Sequence, residues 1–361
     1  MPTKTLFITV VALGFIGVGA CASDSSSGTG DAHTTQDAAS GSGGSAGGGG
    51  GLGTGGASNA ITEFYVSGTP LSIAAGRDGN LWFTEITTSG LCYVGRLTPD
   101  GALTEFAVPT TGPISGAGAG PNGIAAGPDG NLWFADIAGN NIDQISIVGA
   151  LTEFPIPTAS ARPSGIAAGS DGNLWFAELD GNNIGRITPS GTITEFPLPT
   201  AGSAPFSVVA GPDGNIWFTE LDGNKIGRIT PAGTITEFAI PAPNSWPTSI
   251  AAGPDGNLWF VEAAGSGQIG RITPTGTITE FPDRGTFVAI AAGPDGNLWV
   301  TDAFGTSIGR LTTGGMSTWF NVPHVGDGVV PEGNGQGITA GPDGKIWFTE
   351  GRNGTVDCIA P

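Results

Sequence analysis

Histidine is almost missing from this chain: two residues, His33 and His324, in 361. Proton transfer near neutral pH falls most often to histidine, so the candidates for a general base are few from the outset. Lysine and arginine together number 12 against 31 Asp plus Glu, for a net charge of −19. So acidic a chain lacks the basic footprint that phosphate backbones need, which excludes nucleic acid as the expected partner. There are three cysteines, Cys21, Cys92 and Cys358, too few for a disulfide framework. No window beyond the N-terminus carries the apolar period of a helix.

What is present is a repeat. The decapeptide Gly211 to Glu220, Gly-Pro-Asp-Gly-Asn-Ile-Trp-Phe-Thr-Glu, has relatives beginning at Gly76, Gly127, Gly169, Gly253, Gly293 and Gly341. Their tryptophans, Trp82, Trp133, Trp175, Trp217, Trp259, Trp299 and Trp347, lie 51, 42, 42, 42, 40 and 48 residues apart. Each unit reads as four short strands. In the third copy these are Gly165 to Ala168, Leu174 to Glu178, Ile184 to Thr188 and Thr192 to Phe196, divided by Asp-Gly-Asn and Pro-Ser-Gly turns. Small residues in the first of these suit a crowded position. Seven such units predict an all-β fold, a seven-bladed β-propeller of four-stranded antiparallel blades.

The chain ends predict how the ring closes. Ile61-Thr62-Glu63-Phe64 is a fourth-strand sequence with no strands before it, and the last unit stops after its third strand. The N-terminal strand therefore completes the last blade and removes the open edge. Three segments follow: 1–21, 22–58 and 59–361. The apolar run from Leu6 to Ala20 after Lys4 is short for a membrane span and reads as a signal peptide. Val18-Gly19-Ala20-Cys21 resembles the bacterial lipoprotein cleavage box, which makes Cys21 the lipidation site. Residues 22–58, rich in Gly and Ser, cannot bury enough apolar surface to fold. As a tether they span on the order of 35 Å. The expectation is an exported, membrane-anchored lipoprotein, periplasmic or at the cell surface, whose propeller is a monomer. Residues 110–120 and 321–335 break the period as insertions.

Twenty of the 31 acids recur at repeat positions: one Asp per turn, one acid closing each second strand, and a Glu in six fourth strands. Third strands return Arg96, Arg186, Arg228, Arg271 and Arg310, with Gln144 and Cys358 in the other two copies. A carboxylate–guanidinium pair in each blade is the simplest reading, and a ring of acids holding a divalent cation at the channel mouth is the sharper one. Cys92 and Cys358 fall in neighbouring blades of a closed ring, so a bridge between them is open, as are two small buried thiols.

The units Gly211 to Glu220, Asn224 to Thr230 and Gly233 to Phe238 resemble those of the virginiamycin B lyase (streptogramin B lyase) family, over essentially all of residues 60–361. The resemblance implies a Mg²⁺-dependent C–O lyase that linearises streptogramin B-type cyclic depsipeptides by β-elimination, and so antibiotic resistance. It also implies a histidine base at the entrance to late first strands and metal-binding glutamates beside it. The entrance residues here are Leu71, Asn122, Ser164, Phe206, Thr248, Val288 and Gln336, none of them histidine. Asn334 stands where one metal-binding glutamate is expected, and Glu350 can supply the other. His324, with Asp327 and Glu332 nearby in sequence, is the one histidine that could replace the base.

Two functions follow. Phe206, Thr248, Val288 and Gln336, with Trp246 and Phe287, form an entrance ring that stacks and hydrogen-bonds, suited to a small-molecule or peptide ligand without catalysis. The alternative is the active lyase, with His324 as base and Mg²⁺ on Glu350. A lactone hydrolase with a channel metal is a weaker third, because such mouths need more Asn, Asp and His.

Overall fold

The structure is a computed structural model that describes residues 61–361 except 88, 110–119, 265–266, 284, 303–306, 323–336 and 352. The described residues form 28 strands, β1 (Thr62–Tyr65) to β28 (Thr355–Ile359), and no helix. They make seven four-stranded antiparallel sheets. Blades 1 to 6 are continuous in sequence: 69–107, 121–155, 163–197, 205–239, 247–282 and 287–321. Blade 7 has the order β1, β28, β27 (Ile346–Glu350), β26 (Ile338–Ala340). The N-terminal strand closes the ring as expected, with Thr62 opposite Cys358 and Tyr65 opposite Thr355. Residues 110–119 and 323–336, and with them most of both insertions, lie outside the described residues.

Each second strand is buried from its first residue to its closing acid, and its period of two sends its residues to opposite neighbours. Trp82 and Thr84 face blade 2, where the Thr84 hydroxyl donates to the Asn122 carbonyl oxygen at 3.0 Å. Phe83 faces the other way, toward Trp347 of blade 7. The Trp of one blade and the second-strand Phe of the next (Val300 in blade 6) therefore share each apolar core, and the seven cores each lie between blades.

The recurring acids hold this arrangement locally. All seven Trp indoles donate to the Asp of their own turn, four residues earlier, at 2.9–3.2 Å. Fourth-strand Glu105, Glu195, Glu237 and Glu280 accept backbone N–H groups from the segment leading into their own blade.

The expected carboxylate–guanidinium pairs do not form. Four of the five third-strand arginines, Arg96, Arg186, Arg228 and Arg271, lie over both the Trp and the Phe ring of their own blades, Arg186 at 5.5 Å from both Trp175 and Phe196. Arg310 is over Phe320. Arg96, Arg186 and Arg228 donate to carbonyl oxygens of the next blade, Ile147, Pro231 and Pro274. The ion pairs among the described residues involve none of the five. The cause is strand parity: Arg186 sits opposite Trp175, whereas Glu178, three residues further along, projects from the other face. Nor does a bridge join Cys92 and Cys358. Cys92 is buried between blades 1 and 2, and Cys358 between blades 7 and 1.

Candidate functional site

The first strands of all seven blades line one cavity of about 400 Å³. Small residues there answer to crowding. A Cβ on Gly123 would lie 2.6 Å from the Ser164 carbonyl oxygen, and one on Gly165 would lie 2.8 Å from that of Phe206. Hydroxyls hold the inner strands together at the entrance positions. Ser164 Oγ donates to the Phe206 carbonyl oxygen at 2.7 Å, Thr248 Oγ1 to that of Val288 at 3.2 Å, and Thr349 Oγ1 to that of Leu71 at 2.8 Å.

Of the expected mouth residues, Phe206, Thr248 and Val288 line this cavity, as do Leu71 and Asn122. Thr248 is buried with its hydroxyl engaged by Val288, so it shapes the wall. Phe287 is not a mouth residue: it is fully buried and stacks on Trp319 at 5.6 Å. Gln336 and His324 lie outside the described residues, as do Asp327, Glu332, Asn334 and Cys21.

Glu350 stands away from the cavity, buried at the end of its strand. Burial pushes its carboxyl up to about 9, helped by the charges of Asp357, Asp302 and Glu63. Among the described residues no group of three or more His, Cys, Asp or Glu is arranged to hold a metal.

The cavity residues that the sequence did not point to include Arg162, Asp180, Ala204 and Asp222. Arg162 and Asp180 form an ion pair at 3.8 Å. Asp222 occupies the place in blade 4 that Asp180 occupies in blade 3, and Ala204 takes that of Arg162. Asp180 and Asp222 are 42 residues apart, a spacing that the repeat period already displayed.

A ring of seven four-stranded blades around a lined central cavity is a β-propeller with a ligand-sized mouth. Its relatives narrow the class. Residues 50–220 match the virginiamycin B lyase family model. A virginiamycin B lyase from Nocardia farcinica is 33% identical over 132 residues, a match that covers 27% of this chain and 45% of that relative. A streptogramin B lyase structure is 34% identical, covering 83% of this chain and 97% of its own, with a TM-score of 0.74. A catalytically inactive histidine-to-alanine variant of the Staphylococcus aureus virginiamycin B lyase, solved with quinupristin, is 35% identical over 84% of this chain and 99% of that one, again at a TM-score of 0.74. The chain belongs to the virginiamycin B lyase family.

Proposed function

We propose that this chain is an exported, Cys21-lipidated propeller that binds a small-molecule or peptide ligand at the mouth of its ring, without the family's elimination chemistry. The observation that carries this reading is the make-up of the cavity. Its entrance positions carry Leu71, Asn122, Phe206, Thr248 and Val288, groups that pack and hydrogen-bond but do not take up a proton at neutral pH. The pocket has the size and the mixture of apolar and polar groups that suit a small ligand.

A second reading, Mg²⁺-dependent cleavage of a streptogramin B-type ring, has its own support: identity of 34–35% to solved lyases over nearly their whole length. It requires His324 to serve as base, because no other histidine belongs to residues 59–361. The test is to incubate the full chain with quinupristin, with and without Mg²⁺, following ring opening by mass spectrometry and binding by calorimetry. The binder reading expects saturable binding, weakened by Phe206→Ala, with the ring intact. Magnesium-dependent ring opening abolished by His324→Ala would replace it with the lyase.

A further inference from the structure

Blades 3, 4 and 5 enter their first strands through one and the same loop. Arg162, Ala204 and Trp246 each precede a proline and each adopt a left-handed φ, 53°, 53° and 51°. Such a φ is uncommon outside glycine and is held here by backbone bonds. The Arg162 carbonyl oxygen accepts from Leu179 N and that of Ala161 from Asp180 N, both at 3.1 Å. Leu221 and Asp222 donate in the same way to Ala204 and Ser203 at 3.0 and 3.1 Å. Ala263 and Ala264 donate to Trp246 and Ser245, both at 3.1 Å.

On this constant backbone the two side chains that project differ from blade to blade. Blade 3 carries Arg162 with Asp180, whose charges cancel. Blade 5 carries Trp246 with Ala264. Blade 4 carries Ala204 with Asp222, so its carboxylate has no cation across the loop, and Phe206 lines the same cavity two residues on. A carboxylate and an aromatic ring that line one cavity can both attract a positive nitrogen, one through its charge and the other through the ring's negative face.

We propose that Asp222 and Phe206 form a cation subsite of the mouth, which receives a positively charged nitrogen carried on an apolar ligand. This rests on reading the mouth as a ligand site. It also assigns Arg162 a role: by neutralising Asp180 it confines the unbalanced charge to blade 4.

The experiment uses the full chain and two probes, benzyltrimethylammonium and benzyl alcohol, titrated by NMR against wild type, Asp222→Asn, Ala204→Arg and Phe206→Ala. Ala204→Arg copies the ion pair that blade 3 already accommodates on the same backbone. The expected result is tighter binding of the ammonium, reduced by added salt. Asp222→Asn and Ala204→Arg each weaken the ammonium by about fivefold, the scale of a partly exposed charge contact. Both leave the alcohol unchanged, while Phe206→Ala weakens both probes. If Phe206→Ala weakens both probes but the two charge variants leave the ammonium unaffected, the cation subsite is overturned and the ligand mouth stands. If neither probe binds, or if binding ignores Phe206→Ala, the mouth itself falls and the subsite with it.

Discussion

At the scale of single residues, the third-strand position opposite the second-strand Phe separates the blades. It is glycine in Gly95, Gly185, Gly227 and Gly270, where a Cβ would lie 2.0–2.1 Å from the Phe ring. In blade 6 it is Gly309, opposite Val300. In blades 2 and 7 it is Asp143 and Asp357, both fully buried. Neither oxygen of Asp143 has a hydrogen-bond partner. Burial pushes the Asp143 carboxyl up to about 8, and the charges of Asp136 and Glu153 add to it. Its ordinary value is 3.8, so between 3.8 and 8 the folded chain keeps a proton that the unfolded chain releases. Stability must then fall as pH rises through that window and level off above it. Asp143→Asn, neutral throughout, is expected to flatten that slope and to be more stable at pH 8 by on the order of 5 kcal/mol. Thermal melts of both proteins from pH 4 to 9 check this, and parallel curves would contradict it. The replacement of Gly-Arg by Asp-Gln in blade 2 and Asp-Cys in blade 7 was visible in the letters. Its meaning was not, because only the pairing register shows that the new carboxyl falls between two existing ones.

At the scale of the element, one blade is held by a short chain of contacts: turn Asp to Trp indole, Trp to Arg, Arg to Phe. In blade 4 these are Asp213, Trp217, Arg228 and Phe238, with the indole bond at 3.0 Å and the guanidinium 5.5 and 5.6 Å from the two rings. Burial opposes the Asp213 charge, but hydrogen bonds from Asn215 and Trp217 hold its carboxyl below its ordinary value. Asp213→Ala leaves a buried indole N–H unpaired and is expected to cost about 1–3 kcal/mol. Arg228→Lys loses the planar stack and is expected to cost about 1 kcal/mol. Denaturant midpoints at pH 7 measure both, and an Asp213→Ala protein as stable as wild type would refute the indole bond as a support. The strands and their turns were legible in the sequence because they follow period and turn chemistry. The arginine's partner was mistaken because recurrence reveals which residues repeat together and not which face each occupies. Counting parity from Trp175 to Glu178 would have set Arg186 against the ring.

At the scale of the whole molecule, the ring rests on its closure and on the proton balance of its buried carboxyls. Phe64 of β1 stacks on Trp347 of β27 at 5.2 Å, the same contact that Phe196 makes with Trp175 inside a continuous blade. Phe64→Ala is expected to cost roughly 2 kcal/mol and to raise amide exchange in β28, since the closing strand is otherwise anchored by its ladder and by Val66 N on the Gly354 carbonyl oxygen. Phe196→Ala should cost about as much while leaving β28 protected. Equal exchange in β28 for the two variants would mean that the closing strand is not the weakest part of the ring. The pH response then follows from two opposed sets of acids. Glu85, Asp143 and Glu350 are pushed up to about 8, 8 and 9, Glu178, Glu220, Glu262 and Asp357 to about 7, and Asp136 to about 6, each chiefly by burial. Their contribution is present below the ordinary values of 3.8 and 4.5 and is lost as pH climbs through the raised ones. The seven turn aspartates are shifted down, so their contribution holds above 3.8 and disappears as pH falls below it. The two sets place the stability maximum near pH 4 to 5, on the acid side of neutrality, with a long decline toward pH 9. A melting temperature that instead rises from pH 5 to 9 would show that the buried carboxyls are ionised and compensated within the ring.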